Sequence, residues 1–134
     1  MNQLPGMISE ILSEGHLSIV KIAAAGGAFK AIVIDTPQTA PYLEAGNKVH
    51  MLFKENEVVI AKSFSGLISL QNRFESTIMS LEMGKLLCKV VMNFKGFEIS
   101  SLITAHAAVQ LNLAIGDNVT AMVKTNEISL SPND

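Results

Sequence analysis

Tryptophan is absent from this 134-residue chain, tyrosine occurs once and cysteine once. Without aromatic platforms, stacking of single-stranded bases is poorly supplied. A lone Cys88 excludes an internal disulfide framework and any cysteine-based metal set. Charged residues make up only 16%, and Lys+Arg 10 against Asp+Glu 12 leaves a net charge of −2. That balance lacks the basic footprint of a nucleic-acid binder. His16, His50 and His106 are scattered without ligand spacing, so no metal-cation site is expected. No Ser/His/Asp order or Cys/His pair points to nucleophilic catalysis, and an enzyme is not expected. Pairs such as Glu10/Glu14 and Glu55/Glu57 read as solvated strand and turn positions. The turns Gly26-Gly27 and Lys95-Gly96 carry no phosphate-loop pattern. The opening MNQLPGMISEIL has no basic region followed by an apolar run, and no segment approaches membrane-span length. The expectation is a soluble cytoplasmic protein.

What the chain has is apolar surface. Hydrophobic residues reach 49%, high for so short a chain, and some should be buried between subunits. The seven methionines fit core and interface filling. It also has an internal repeat. Gly46–Ile60 (GNKVHMLFKENEVVI) and Gly116–Leu130 (GDNVTAMVKTNEISL) coincide at a shift of 70 positions in Gly, Val, Lys, Asn and Glu. Asn2 and Asn72 keep that shift. Gly15/Gly84 and Gly27/Gly96 agree at 69, which implies one small gap. Two units follow, residues 1–64 and 68–134, joined by Lys62–Leu67.

Each unit reads as five strands with one short helix after the third. In the first unit Asp35 or Thr36 caps the helix, with Pro37 at its first position. In the second, Thr104 caps a helix over Ala105–Leu111. Each unit ends in a hairpin, Lys48–Phe53 with Val58–Ala61 and Asn118–Lys124 with Glu127–Leu130. The expected fold is all-β, two tandem OB-like five-stranded small barrels.

The chemistry gathers in Ile99–Ser131. Ser100, Ser101 and Thr104 lead into a helix N-terminus, and Lys124 and Thr125 end the following strand. Each has an ordinary structural reading: a cap, strand filling, a solvated lysine. Together they suit a small oxyanion, because a helix start presents unpaired N–H groups and partial positive charge.

The run SSLITAHAAVQLNLAIGDNVTAMVKTNEISL resembles the molbindin, or TOBE/Mop, domain. That pattern has a Ser-x-Ile-Thr strand end, a short helix, a Gly turn, then Val-x-Ala-x-Val-Lys. Its opening Ser-Ala-Arg-Asn is matched in part by Ser69-Leu70-Gln71-Asn72, with Gln71 where Arg is usual. The Gln-Leu-x-Gly that follows it is matched by Gln3-Leu4-Pro5-Gly6. The resemblance covers the chain as a tandem pair. It implies molybdate or tungstate bound between neighbouring units, no organic cofactor, and self-association, with a trimer of two-unit chains favoured. The implied ligand groups are Ser69, Gln71, Ser101, Thr104, backbone near Ala105, Lys124 and Thr125, with Lys54 as an additional candidate. In the first unit the hydroxyl positions align with Ile32 and Asp35, and Thr125 aligns with Glu55, whose carboxylate would repel an oxyanion. The second unit is therefore expected to supply most ligands. The expected role is oxyanion storage or homeostasis; the alternative is an effector-sensing module acting through a partner transcription factor or transporter. Neither nucleic acid nor membrane is an expected partner.

Overall fold

In the computed structural model, which describes residues 1–132, strands dominate. They are β1 (Asn2–Glu14), β2 (Leu17–Ala24), β3 (Gly27–Val33), β4 (Lys48–Phe53) and β5 (Val59–Ala61). Then follow β6 (Asn72–Met83), β7 (Leu87–Phe94), β8 (Phe97–Thr104), helix α1 (Ala105–Gln110), β9 (Asn118–Val123) and β10 (Ser129–Pro132). Alternation drives them. In β2 Ser18, Val20, Ile22 and Ala24 are buried and the residues between them are not, the period of a half-buried strand.

β1 and β6 are long because each serves two partners. The start of β1 pairs with β4 and its end with β2, and a bulge between Ile8 and Glu10 bends it between them. β6 does the same with β9 and β7, with its bulge between Ile78 and Ser80. The hairpins β2–β3 and β7–β8 close at Ala25-Gly26 and Lys95-Gly96, all four at positive φ. Two-residue turns of this kind match the twist of the strands, and glycine suits the second position. The two tips touch, Lys95 Nζ donating to the Ala25 carbonyl at 3.1 Å.

These registers correct the gap read from the sequence. Asn2 opposes Phe53 as Asn72 opposes Val123, Lys21 opposes Lys30 as Val91 opposes Ser100, and Gly26 turns as Gly96 does. One shift of 70 holds throughout. Ser101 and Thr104 therefore correspond to Ala31 and Ile34, not to Ile32 and Asp35.

The expected terminal hairpins do not form. One five-stranded sheet runs β10-β4-β1-β2-β3 and the other β5-β9-β6-β7-β8. Each half gives its last strand to the other. After β4 and β9 the chain makes a 3-10 turn, Glu55–Glu57 and Thr125–Glu127, rather than a tight reversal. The turn carries the next strand away from its own half. The helix expected in the first unit is also absent. Thr36 O accepts from the Thr39 and Ala40 amides, and Pro41 and Gly46 confine the segment to successive turns.

Buried residues of both halves form one continuous core. At its centre Phe74 stacks on Phe29 (4.8 Å between centroids) and on Phe53 (5.4 Å), with Phe94 edge-on at 5.2 Å. Lys62, at the start of the linker, binds the Asp117 carboxylate at 2.9 Å. The Lys62 hydrogen bond, then that of the Ala114 amide, hold this carboxyl below its ordinary pKa. The stability it lends is present above the ordinary carboxylate range and is lost as pH falls through the lowered value.

Candidate functional site

Strand exchange divides the sequence-predicted site residues between two places related by the 70-position repeat. Each is built around an asparagine at the start of a long strand. Asn2 on β1 bonds the backbone of Ser100 on β8 in both directions, 2.7 and 2.8 Å. Asn72 on β6 bonds the backbone of Lys30 on β3 likewise, both at 2.8 Å. Both asparagines are buried, and each amide finds one donor and one acceptor on the opposite half.

At the Asn2 place the 3-10 turn Glu55–Glu57 packs against β8. Ser101 is fully buried and its hydroxyl donates to the Val58 carbonyl at 2.7 Å. Thr104 caps α1, its Oγ1 accepting from the Ala107 amide at 3.0 Å. The Ala105 amide donates to the Leu86 carbonyl at 2.8 Å. The donors expected of Ser101 and Ala105 are thus already committed within the scaffold, and Thr104 retains only its O–H. Lys54 is exposed, and register places it across from Met1. Glu55 lies here too, 3.9 Å from Lys89 Nζ. The carboxylate draws Lys89 and sets a negative charge beside Lys54. Ser101→Ala is expected to cost about 1–3 kcal/mol in urea unfolding, because it strands a buried carbonyl. An unchanged midpoint would show that this bond is dispensable.

At the Asn72 place the 3-10 turn Thr125–Glu127 packs against β3. Asn72 opposes Val123, so the next step of the antiparallel ladder sets Gln71 across from Lys124. Lys124 and Gln71 are exposed and Thr125 half-buried. Ser69 is exposed two residues before Gln71. Thr125 takes the position that Glu55 holds at the other place, so a hydroxyl replaces a carboxylate. Four of the predicted residues, Ser69, Gln71, Lys124 and Thr125, fall here. Ser101, Thr104, Ala105 and Lys54 do not.

The sequence reading missed the residues of β2 and β3 beside this place. Lys30 stands where the second half has Ser100, a substitution visible once the shift of 70 is applied throughout. Lys21, Lys30, Gln71 and Arg73 line a pocket of about 340 Å³. Elsewhere, the Cys88 thiol is buried, and burial, then Glu82, push its pKa up, which keeps it protonated and inert. Among the described residues no group of His, Cys, Asp and Glu could hold a metal ion, and no helix is long and apolar enough to cross a membrane.

The TOBE domain family matches residues 68–130. The cytoplasmic molybdate-binding protein ModG, crystallised with molybdate bound, superposes with a TM-score of 0.92, 25% identical, covering 98% of this chain and 96% of that one. Residues 68–130 thus carry the TOBE domain pattern, and the whole chain is similar to ModG. Its fold is the tandem OB-like fold of ModG. The molybdenum transport protein ModE of Herbaspirillum seropedicae is 29% identical over 133 residues. That alignment takes in 97% of this chain and 49% of ModE, so the chain spans about half the length of the curated relative it matches. A molybdate-binding protein from Sporomusa ovata is 39% identical over 44% of this chain and 88% of its own length, with a TM-score of 0.43.

Proposed function

We propose that this chain binds molybdate, or a similar tetrahedral oxyanion such as tungstate, as a cytoplasmic storage or homeostasis protein rather than an enzyme. The observation that carries the reading is the juxtaposition of Gln71 with Lys124 and Thr125 beside β3. A tetrahedral dianion offers four acceptor oxygens. The lysine supplies charge, Thr125 and Ser69 supply hydroxyls, and the Gln71 amide supplies a neutral donor. Donors to a charged acceptor are the strong ones. The full-length likeness to a protein crystallised with molybdate supports the same reading.

Ligands at this place stand on the surface, so completion by a second copy is part of the proposal. A groove of about 610 Å³ beside β5, β8 and α1, walled by Val59, Ile60, Leu87, Ile103 and Leu111, is apolar enough to be covered in an oligomer. A trimer is the proposed assembly. Titration calorimetry should show heat with molybdate and tungstate. Lys124→Ala should weaken binding at least tenfold, the effect of losing about 1.5–3 kcal/mol of charged hydrogen bond. No heat with molybdate, tungstate or sulfate would end the reading.

The match to about half of ModE supports a second reading, a sensing module that acts through a partner protein. Molybdate-dependent capture of a transcription factor or transporter subunit would favour it over storage.

A further inference from the structure

We infer that the pocket between β3 and the start of β6 is an anion site in its own right, built to take the phosphate of a small organic phosphate monoester through Lys30 and Arg73. Lys21 and Lys30 are directly opposed in the β2–β3 ladder, and like charges so placed repel. One carboxylate relieves them: Glu10 binds Lys21 Nζ at 2.9 Å. Among the described residues, neither Lys30 nor Arg73 has a carboxylate within ion-pair distance. Arg73 is steadied by its Nε bond to the Leu70 carbonyl at 3.3 Å and by stacking on Phe64, 5.6 Å from the ring centre. Those contacts leave its terminal N–H groups to donate. Lys30 is pinned at both backbone atoms by Asn72, which sits between Gln71 and Arg73 in sequence. The backbone that carries Lys30 is therefore fixed beside the strand that carries Arg73.

The fold does not demand this charge. The corresponding residues of the other half are Val91 for Lys21, Ser100 for Lys30 and Gln3 for Arg73. Size and lining select the ligand class. At about 340 Å³ the pocket has more room than a four-oxygen ion fills. The remaining wall is apolar, from Ala28, Phe29, Ile68 and Leu70. A phosphate at the cations with an organic body against that wall uses both parts.

The test is titration of the full chain with phenyl phosphate, inorganic phosphate and molybdate, followed by calorimetry and by amide shifts of Lys30 and Arg73. Phenyl phosphate should bind at least threefold tighter than inorganic phosphate. Lys30→Gln and Arg73→Gln should each weaken it fivefold or more, and Lys85→Gln, an exposed lysine in the β6–β7 turn, should leave it unchanged. Both lysine and arginine variants should melt close to the parent, since Arg73 is exposed and Lys30 only half-buried, and the bonds that tie Lys30 to Asn72 are made by its backbone. Equal binding of both phosphates, lost in Lys30→Gln, would assign the pocket to free oxyanion and overturn the organic ligand. Binding that ignores Lys30 and Arg73, or no binding, would overturn the site. Molybdate binding lost in Lys124→Ala but kept in Lys30→Gln would leave the molybdate proposal standing by itself.

Discussion

Replacing Phe74 with alanine should lower the unfolding free energy by about 3–5 kcal/mol, the cost of removing a buried aromatic ring and leaving its cavity. Phe74 is fully buried and contacts three other rings. Two of those rings, Phe29 and Phe53, come from the first half, and one, Phe94, from the second. Loss of the central ring therefore loosens both halves together. Urea unfolding followed by circular dichroism should show one transition, shifted as a whole. Two separated transitions, or a loss below about 1 kcal/mol, would contradict a shared core. A substantial fraction of a small protein's total stability is at stake.

Separating the chain into residues 1–64 and 68–134 should abolish folding of each piece. The first piece loses the strand that covers β4 and the ring that stacks on Phe29 and Phe53. The second loses β5, which borders β9, and the Val58 carbonyl that accepts from Ser101. Each piece also loses a buried asparagine partner, leaving backbone groups of Lys30 or Ser100 unpaired at about 1–3 kcal/mol per group. Each piece alone should give no dispersed amide spectrum, and equimolar mixing should restore one. A cooperative melt from either piece alone would show that its last strand can fold back onto its own sheet.

Much of the fold was legible. Alternation placed the strands, and Gly46/Gly116 with Lys54/Lys124 exposed the repeat. Strand exchange was not legible from pattern, because β4 and β9 are near-copies. Val59–Ala61 meets the same kind of edge whichever it joins, and periodicity cannot choose between equivalent partners. One local sign was available. Neither Lys54–Glu57 nor Lys124–Glu127 contains the glycine that a two-residue hairpin turn prefers. The helix expected near Pro37 failed because its cap signal was outweighed by Pro41 and Gly46.

The site was legible as a set of residue types and not as a grouping. Gln71 and Lys124 are neighbours through a ladder inside the second half, which sequence order could suggest. Ser101 and Lys124 belong to one sequence unit, yet they stand at two separate places, one against Val58 and the other beside β3. Lys30 escaped notice because the glycine pairing at 69 hid its equivalence with Ser100. A one-residue slip in a strand reverses which face each side chain occupies, so a single misplaced gap redraws a binding site.

The crossing of the last strands bears on how the protein is made. Ser129–Pro132 closes the edge of β4, a strand synthesised far earlier. During translation β4 waits with that edge open, its amides and carbonyls unpaired, until Ser129–Pro132 has been made. An open edge is a template for other chains, and late, non-local pairing is slow. Nascent copies on one messenger would meet in that interval, each offering the strand its neighbour lacks. Intertwined dimers should therefore rise with expression rate, a hazard that independently closed barrels would not share.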